Sequence, residues 1–142
     1  MNAYWNPMVP ELMVSDFAGS LAFYQLLGFT VRFQREHPAF AYLMLGDAHL
    51  MIEQVHEDAW HVAPLERPFG RGMNLQIEVP DAQRIVDVCT SHGIVLFRPL
   101  TETWYQTHAG VAEGVRECLL QDPDGYLLRF AESLGQKLSY ES

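Results

Sequence analysis

From Val9 to Val14 the side chains alternate, with Pro10, Leu12 and Val14 on one side and Val9, Glu11 and Met13 on the other, the two-residue period of a strand. A different period follows. Phe17, Leu21, Tyr24 and Leu27 recur at helical spacing, which predicts an amphipathic helix of about three turns. Asp16 stands where an N-cap carboxylate would accept free amide hydrogens and face the positive end of the helix dipole. Gly28 stands where a left-handed residue would stop the helix.

The same series returns in the second half. Leu75, Ile77 and Val79 alternate against Asn74, Gln76 and Glu78; Asp81 opens a segment carrying Ile85, Val86, Cys89 and His92 at looser helical spacing, and Gly93 closes it. Asp81 and Gly93 repeat Asp16 and Gly28 at a single offset of 65 residues. In each copy the apolar side of the strand is expected to pack on the helix, which leaves a more polar side to face something else.

Extended segments rich in aromatic and branched residues follow each helix. They run from Phe29 to Glu36, Phe40 to Leu45 and Ala48 to Gln54 in the first half, with Gly46-Asp47 as a tight turn. In the second half they run from Val95 to Arg98, Val115 to Gln121 and Tyr126 to Ala131, with Asp122-Pro123-Asp124-Gly125 as a turn. Each half thus reads strand, helix, three strands. The predicted organisation is an α+β domain over residues 1–142: module one about 6–55, a connector about 56–72, module two about 73–133 and a C-terminal tail 134–142. The connector is long enough to cover a site of its own. Leu100 to Gly114, which holds Trp104-Tyr105 and two glycines, reads as an irregular loop whose large aromatics either pack on the sheet or bind.

Composition narrows the chemistry. The formal net charge is −9, from 18 acids against 9 Lys plus Arg, which disfavours nucleic acid and anionic lipid and favours a cationic ligand. Cys89 and Cys118 are far apart, without the spacing of a zinc or redox site, and read as small buried hydrophobes. No stretch approaches the ~20 apolar residues of a membrane helix, and the start of the chain has no signal-like run, so the expected setting is cytoplasmic. His37, His56, His61, His92 and His108 fall in turns or in the second helix without the pairing of a zinc helix, and read as surface residues. No nucleophile elbow, Walker loop or dinucleotide fingerprint occurs.

Val14-Ser15-Asp16 followed by FAGSLAFYQLLGF, and the closing QDPDGYLLRF, resemble the glyoxalase, bleomycin-resistance and extradiol-dioxygenase (vicinal oxygen chelate) superfamily over nearly the whole chain. The longer segment GVRECLLQDPDGYLLRF is similar to its metal-free bleomycin-resistance branch. The resemblance implies two βαβββ modules forming a curved mixed sheet with a concave cavity, and a homodimer. It also implies where active members hold a divalent metal: seven residues before each helix-opening aspartate and four after the glycine of the closing turn. Those positions carry Val9, Asn74 and Arg129 here, and the matching strand of the first half offers Met51. Valine and methionine give a hard cation no oxygen or nitrogen, and arginine repels it, so no metal or other cofactor is expected.

On the alternation above, the inward face carries Glu11, Gln76 and Glu78 from the first strands, His49 and Glu53 from the fourth, and Glu117 with Arg129 from the closing hairpin. With Asn74, Trp104 and Tyr105, and Phe40 or Tyr42 beside them, this wall suits a cationic or planar aromatic molecule held by stacking, cation–π contact and charged hydrogen bonds. Bleomycin-resistance proteins are understood to sequester a large basic glycopeptide in such a groove. Arg129 is equally suited to neutralise Glu11 or Glu117 as an ion pair. The expected function is metal-free sequestration of a small molecule, with no catalytic residue. One alternative is a metal-dependent lyase, isomerase or dioxygenase using His49 and Glu53 as displaced ligands. Another makes the acidic face a docking surface for a protein.

Overall fold

The computed structural model describes residues 6–138. The element order is β1 (Glu11–Val14), α1 (Phe17–Leu26), β2 (Thr30–Arg35), β3 (Phe40–Leu45), β4 (Ala48–Gln54), β5 (Leu75–Glu78), α2 (Ala82–Ser91), β6 (Arg98–His108), β7 (Val111–Gln121) and β8 (Leu127–Leu138). The strands form two four-stranded mixed sheets, β1-β4-β3-β2 and β5-β8-β7-β6, so the class is α+β and βαβββ occurs twice. In each sheet only the first strand runs parallel to its neighbour. The chain divides into two compact units, one of the described residues up to Arg71 with Asp122–Tyr126, the other of Gly72–Gln121 with the residues from Leu127 on.

In the first unit Asp16 caps α1, its carboxylate accepting the Gly19 amide at 3.2 Å, and Gly28 follows the helix at φ +109. The helix buries Ser20, Tyr24 and Leu27, with Phe17 and Leu21 half-buried; the buried stripe is therefore centred one residue away from Leu21. It packs against β4, and Leu50 and Ile52 of β4 are buried, as are Leu12 and Val14 of β1. Gly46 takes φ +59 while Asp47 does not, the geometry of a two-residue turn whose first position wants glycine.

The closing turn of the second repeat belongs to this first unit. Asp122 accepts the Tyr24 hydroxyl at 2.6 Å and the amides of Asp124 and Tyr126, both at 2.9 Å. Asp124, buried to 1% exposure, accepts the Ser15 amide at 3.0 Å, the Ser15 hydroxyl and Arg67 Nη2 at 2.9 Å. Tyr126 donates to the Met13 carbonyl at 3.0 Å. Two buried carboxylates are tolerated because both are saturated with donors.

In the second unit Asp81 caps α2 through the Gln83 amide at 3.1 Å, and Gly93 follows at φ +69. The helix buries Ala82, Ile85 and Cys89, leaving Val86 half-buried and His92 exposed. Three expectations fail here. Leu100 to Gly114 is no irregular loop: it lies in β6 and β7, paired from Thr101 with Glu117 to His108 with Val111 and turning at Ala109-Gly110. The Thr, Trp and Tyr residues of this stretch favour an extended, largely exposed strand, and the glycines mark a turn and a packing contact rather than a loop. The strand expected at Val95 begins only at Arg98, and β8 runs on through 134–138, where a tail was expected, because Leu138 pairs with Val111. Residues 139–142 of that expected tail lie outside the described residues.

Candidate functional site

In each unit one face of the sheet lines a cavity. In the second unit β5, β8, β7 and β6 place Gln76, Arg129, Glu117 and Tyr105 on one face, since Gln76 pairs with Arg129 and Glu117 lies two residues from Leu119, the partner of Arg129. They line a cavity of about 380 Å³ together with Glu78 and Glu113. Arg129 Nη1 lies 3.5 Å from Glu117 Oε2, and its Nε donates to Asn74 Oδ1 at 3.1 Å. The Tyr105 hydroxyl reaches Glu117 Oε1 at 3.4 Å. Glu117 is only 8% exposed, and its Oε2 is buried without a hydrogen bond. A buried carboxylate oxygen in that state is a strong acceptor awaiting a donor.

Strand geometry separates two neighbours. Trp104 pairs with Gly114 and Tyr105 with Glu113, so their side chains leave β6 on opposite faces. Tyr105 lines the cavity. Trp104 lies against Gly114, its indole N–H donating to Glu102 at 3.0 Å and Lys137 Nζ 4.1 Å above its ring.

In the first unit a cavity of about 360 Å³ is lined by Val9, Phe33, Arg35, Phe40, Tyr42 and Met51, with Asn6 and Pro7 at its edge. Phe33 stacks on Tyr42 with centroids 5.4 Å apart and planes at 19°, and lies 5.8 Å from Phe40. Arg35 covers the Phe40 ring at 4.2 Å. The residues expected on this wall have other partners. His49 Nδ1 is 2.6 Å from the Tyr42 hydroxyl, and Glu53 is 2.9 Å from His56 Nε2. Glu11 pairs with Met51 in register and is pushed up by burial and by the Glu53 carboxylate, with Arg35 pulling the other way. His56 is accordingly half-buried, whereas His37, His61, His92 and His108 are exposed. A third cavity, of about 480 Å³, lies under the connector between Ser15, Gln54, His61, Leu65 and Phe69.

The positions where the family resemblance places metal ligands meet pairwise. Val9 and Met51 line one cavity, and Arg129, which lines the other, is hydrogen-bonded to Asn74. Neither pair fits a divalent cation: two side chains offer no hard donor, and the amide oxygen is already taken by a guanidinium. His49 and Glu53 are four residues apart on one strand, ~13 Å along it, with Met51 between. Among the described residues no three His, Cys, Asp or Glu side chains are grouped to hold a metal ion.

Sequence reasoning missed Phe33 and Arg35. Both lie on β2, whose register shifts between Val31 and Phe33, and that bulge decides which side chains face the cavity. The aromatic spacing of Phe33, Phe40 and Tyr42 was the available signal. Among the described residues no helix is long and apolar enough to cross a membrane.

Solved structures share this architecture. A bleomycin-binding protein in complex with bleomycin is 25% identical with a TM-score of 0.58, over 89% of this chain and 98% of that one. A bleomycin resistance determinant encoded on the transposon Tn5 is 24% identical with a TM-score of 0.59, over 91% and 98%. TioX from Micromonospora sp. ML1 is 20% identical with a TM-score of 0.68, over 89% and 98%. Comparison with curated proteins gave no match. Residues 8–130 match the family model described as Glyoxalase/Bleomycin resistance protein/Dioxygenase superfamily, and with the paired repeats and ligand-position geometry just described, the chain belongs to that superfamily.

Proposed function

We propose that this protein binds and sequesters a small organic molecule without a metal, with the second-unit cavity as a recognition site for a cationic group. One observation carries this reading: the buried, unbonded Glu117 Oε2 in a cavity that also holds Glu78 and Glu113. A ligand ammonium or guanidinium would give that oxygen a charge-assisted hydrogen bond. Tyr105, 48% exposed, offers a ring face to stack on. Arg129, held by Asn74, lies 3.5 Å from Glu117 Oε2 without hydrogen-bonding to it. The bleomycin-binding relative supports ligand capture as the type of activity. The same reading takes the working form to be a homodimer of a single vicinal-oxygen-chelate domain.

The test is titration with bleomycin and with benzamidinium, followed by thermal shift and calorimetry. A probe present at a hundred times its dissociation constant adds about 2.7 kcal/mol of stability. Glu117→Gln is expected to weaken binding of the cation at least tenfold, with the melting temperature of the free protein nearly unchanged. A flat response to both probes, or an affinity indifferent to Glu117→Gln, rejects the site.

A further inference from the structure

The connector between the repeats encloses space that neither sheet face uses, and both of its ends are pinned to the first unit. At the near end the Val55 amide donates to the Val14 carbonyl at 2.9 Å, and His56 is bonded to Glu53 at 2.9 Å and accepts the Asp58 amide at 3.3 Å. At the far end Arg67 reaches Ser15 Oγ at 2.8 Å and Asp124 at 2.9 Å, and the Phe69 amide donates to the Asp124 carbonyl at 2.8 Å. The cavity of about 480 Å³ lies under the segment held this way, so its rim is set before any ligand arrives.

Most polar groups of the lining are already spent. Gln54 Oε1 accepts the Phe17 amide at 2.9 Å, and its Nε2 donates to the Ser15 carbonyl at 3.0 Å. Ser15 Oγ donates to Asp124 and accepts from Arg67. Val55, Leu65 and Phe69 add apolar surface. His61 is the exception. Its Nδ1 lies 2.9 Å from the Ala63 carbonyl oxygen. A carbonyl can only accept, so Nδ1 carries the hydrogen, and in the neutral ring Nε2 is left with a lone pair. Among the described residues that nitrogen has no hydrogen-bond partner. The backbone around it is fixed locally, by bonds from the Ala59 amide to the His56 carbonyl at 3.1 Å and from the His61 amide to the Ala59 carbonyl at 3.2 Å. Trp60 and Val62, its neighbours in the chain, leave their apolar side chains exposed.

We propose that the connector cavity is a separate binding site for a neutral aromatic molecule carrying one hydroxyl, its ring packed among Val55, Leu65 and Phe69 and its O–H donating to His61 Nε2. An apolar lining with a single free polar atom is the usual makeup of a small-molecule pocket, and the volume falls in the usual range. The lining holds no acid, lysine or arginine, so an ionic ligand would lose hydration there without gaining a counter-charge. The site shares no residue with the Glu117 cavity and takes a different ligand class, a neutral donor rather than a cation. It also gives the long connector, which is costly to order without a purpose, a site to cover.

Three matched probes test it: 2-naphthol, 2-methoxynaphthalene, which lacks the donor, and 2-naphthoate, which is charged. Each is titrated by calorimetry into the full chain and two variants at about pH 8, where imidazole is neutral. Naphthol is expected to bind about tenfold tighter than either of the others, the worth of one well-placed hydrogen bond. His61→Leu is expected to abolish the preference for naphthol over methoxynaphthalene, and Leu65→Trp to fill the cavity and weaken both. His61 is exposed and Leu65 only half-buried, so both variants are expected to fold, which their melting temperatures check. The proposal is overturned if naphthol does not bind, if it binds no tighter than methoxynaphthalene, or if the preference survives His61→Leu. Since the readout is donor preference through His61, its failure leaves the Glu117 reading standing, and failure of the Glu117 test leaves this one standing.

Discussion

Asp122 shows how one side chain links the repeat to the fold. Burial pushes its carboxyl above the ordinary value of 3.8, and the hydrogen bonds from Tyr24, Tyr126 and Asp124 only partly offset that rise. Folding therefore disfavours the ionised form relative to the unfolded chain. Its contribution to stability is complete below the unfolded value and is lost as pH rises through the folded one. Asp122→Asn copies the protonated form, keeping an oxygen for the two amides and a polar group for Tyr24. That variant is expected to be at least as stable as the wild type at pH 7, with the difference shrinking on acidification, as urea unfolding at a series of pH values would show. Asp122→Ala orphans three buried donors and is expected to cost on the order of 3 kcal/mol or more. A wild type that outlasts Asp122→Asn by the same margin at every pH would refute the assignment. The sequence marked DPDG only as a turn; that its two acids would be buried against Ser15 and Tyr24 depends on residues about a hundred positions away.

At the scale of elements, the long β6–β7 hairpin depends on Gly114. A methyl group there would lie 2.6 Å from the Trp104 indole, so the ring covers the glycine as a side chain covers a gap in a sheet. Gly114→Ala is expected to destabilise by roughly 1–3 kcal/mol through overpacking. Combined with Trp104→Ala that cost should largely vanish, a coupling that a double-mutant cycle in urea measures directly. Since Trp104 leaves β6 on the face opposite Tyr105, Trp104→Ala should alter stability more than affinity for a cationic probe, and Tyr105→Ala the reverse. The two helices were legible because a capping aspartate and a stopping glycine are local signals. The hairpin was not, because strand alternation between a polar and a half-buried face resembles a loop until its partner is known.

For the molecule as a whole, the question of metal use rests on four side chains. Val9, Met51, Asn74 and Arg129 occupy the positions that count, and their chemistry predicts that dialysis against a chelator leaves the melting temperature and probe affinity unchanged. Stoichiometric zinc or manganese in the purified protein, with a chelator-induced loss of either property, would reverse that conclusion. The net charge of −9 bears on partners at the same scale, favouring cations over nucleic acid.

What the sequence determined by itself was the repeat, the strand–helix–three-strand order and the identity of the residues at the four ligand positions, because periodicity, caps and motif spacing are properties of a short stretch of chain. Tertiary structure decided which polar residues are spent and which remain available. His49 and Glu53, equal candidates on paper, are taken up by Tyr42 and His56, whereas Glu117 keeps an unbonded oxygen. Which side chains meet is set by strand register, by a single bulge in β2 and by how the chain turns after β4, and the residue types along the chain do not contain that geometry.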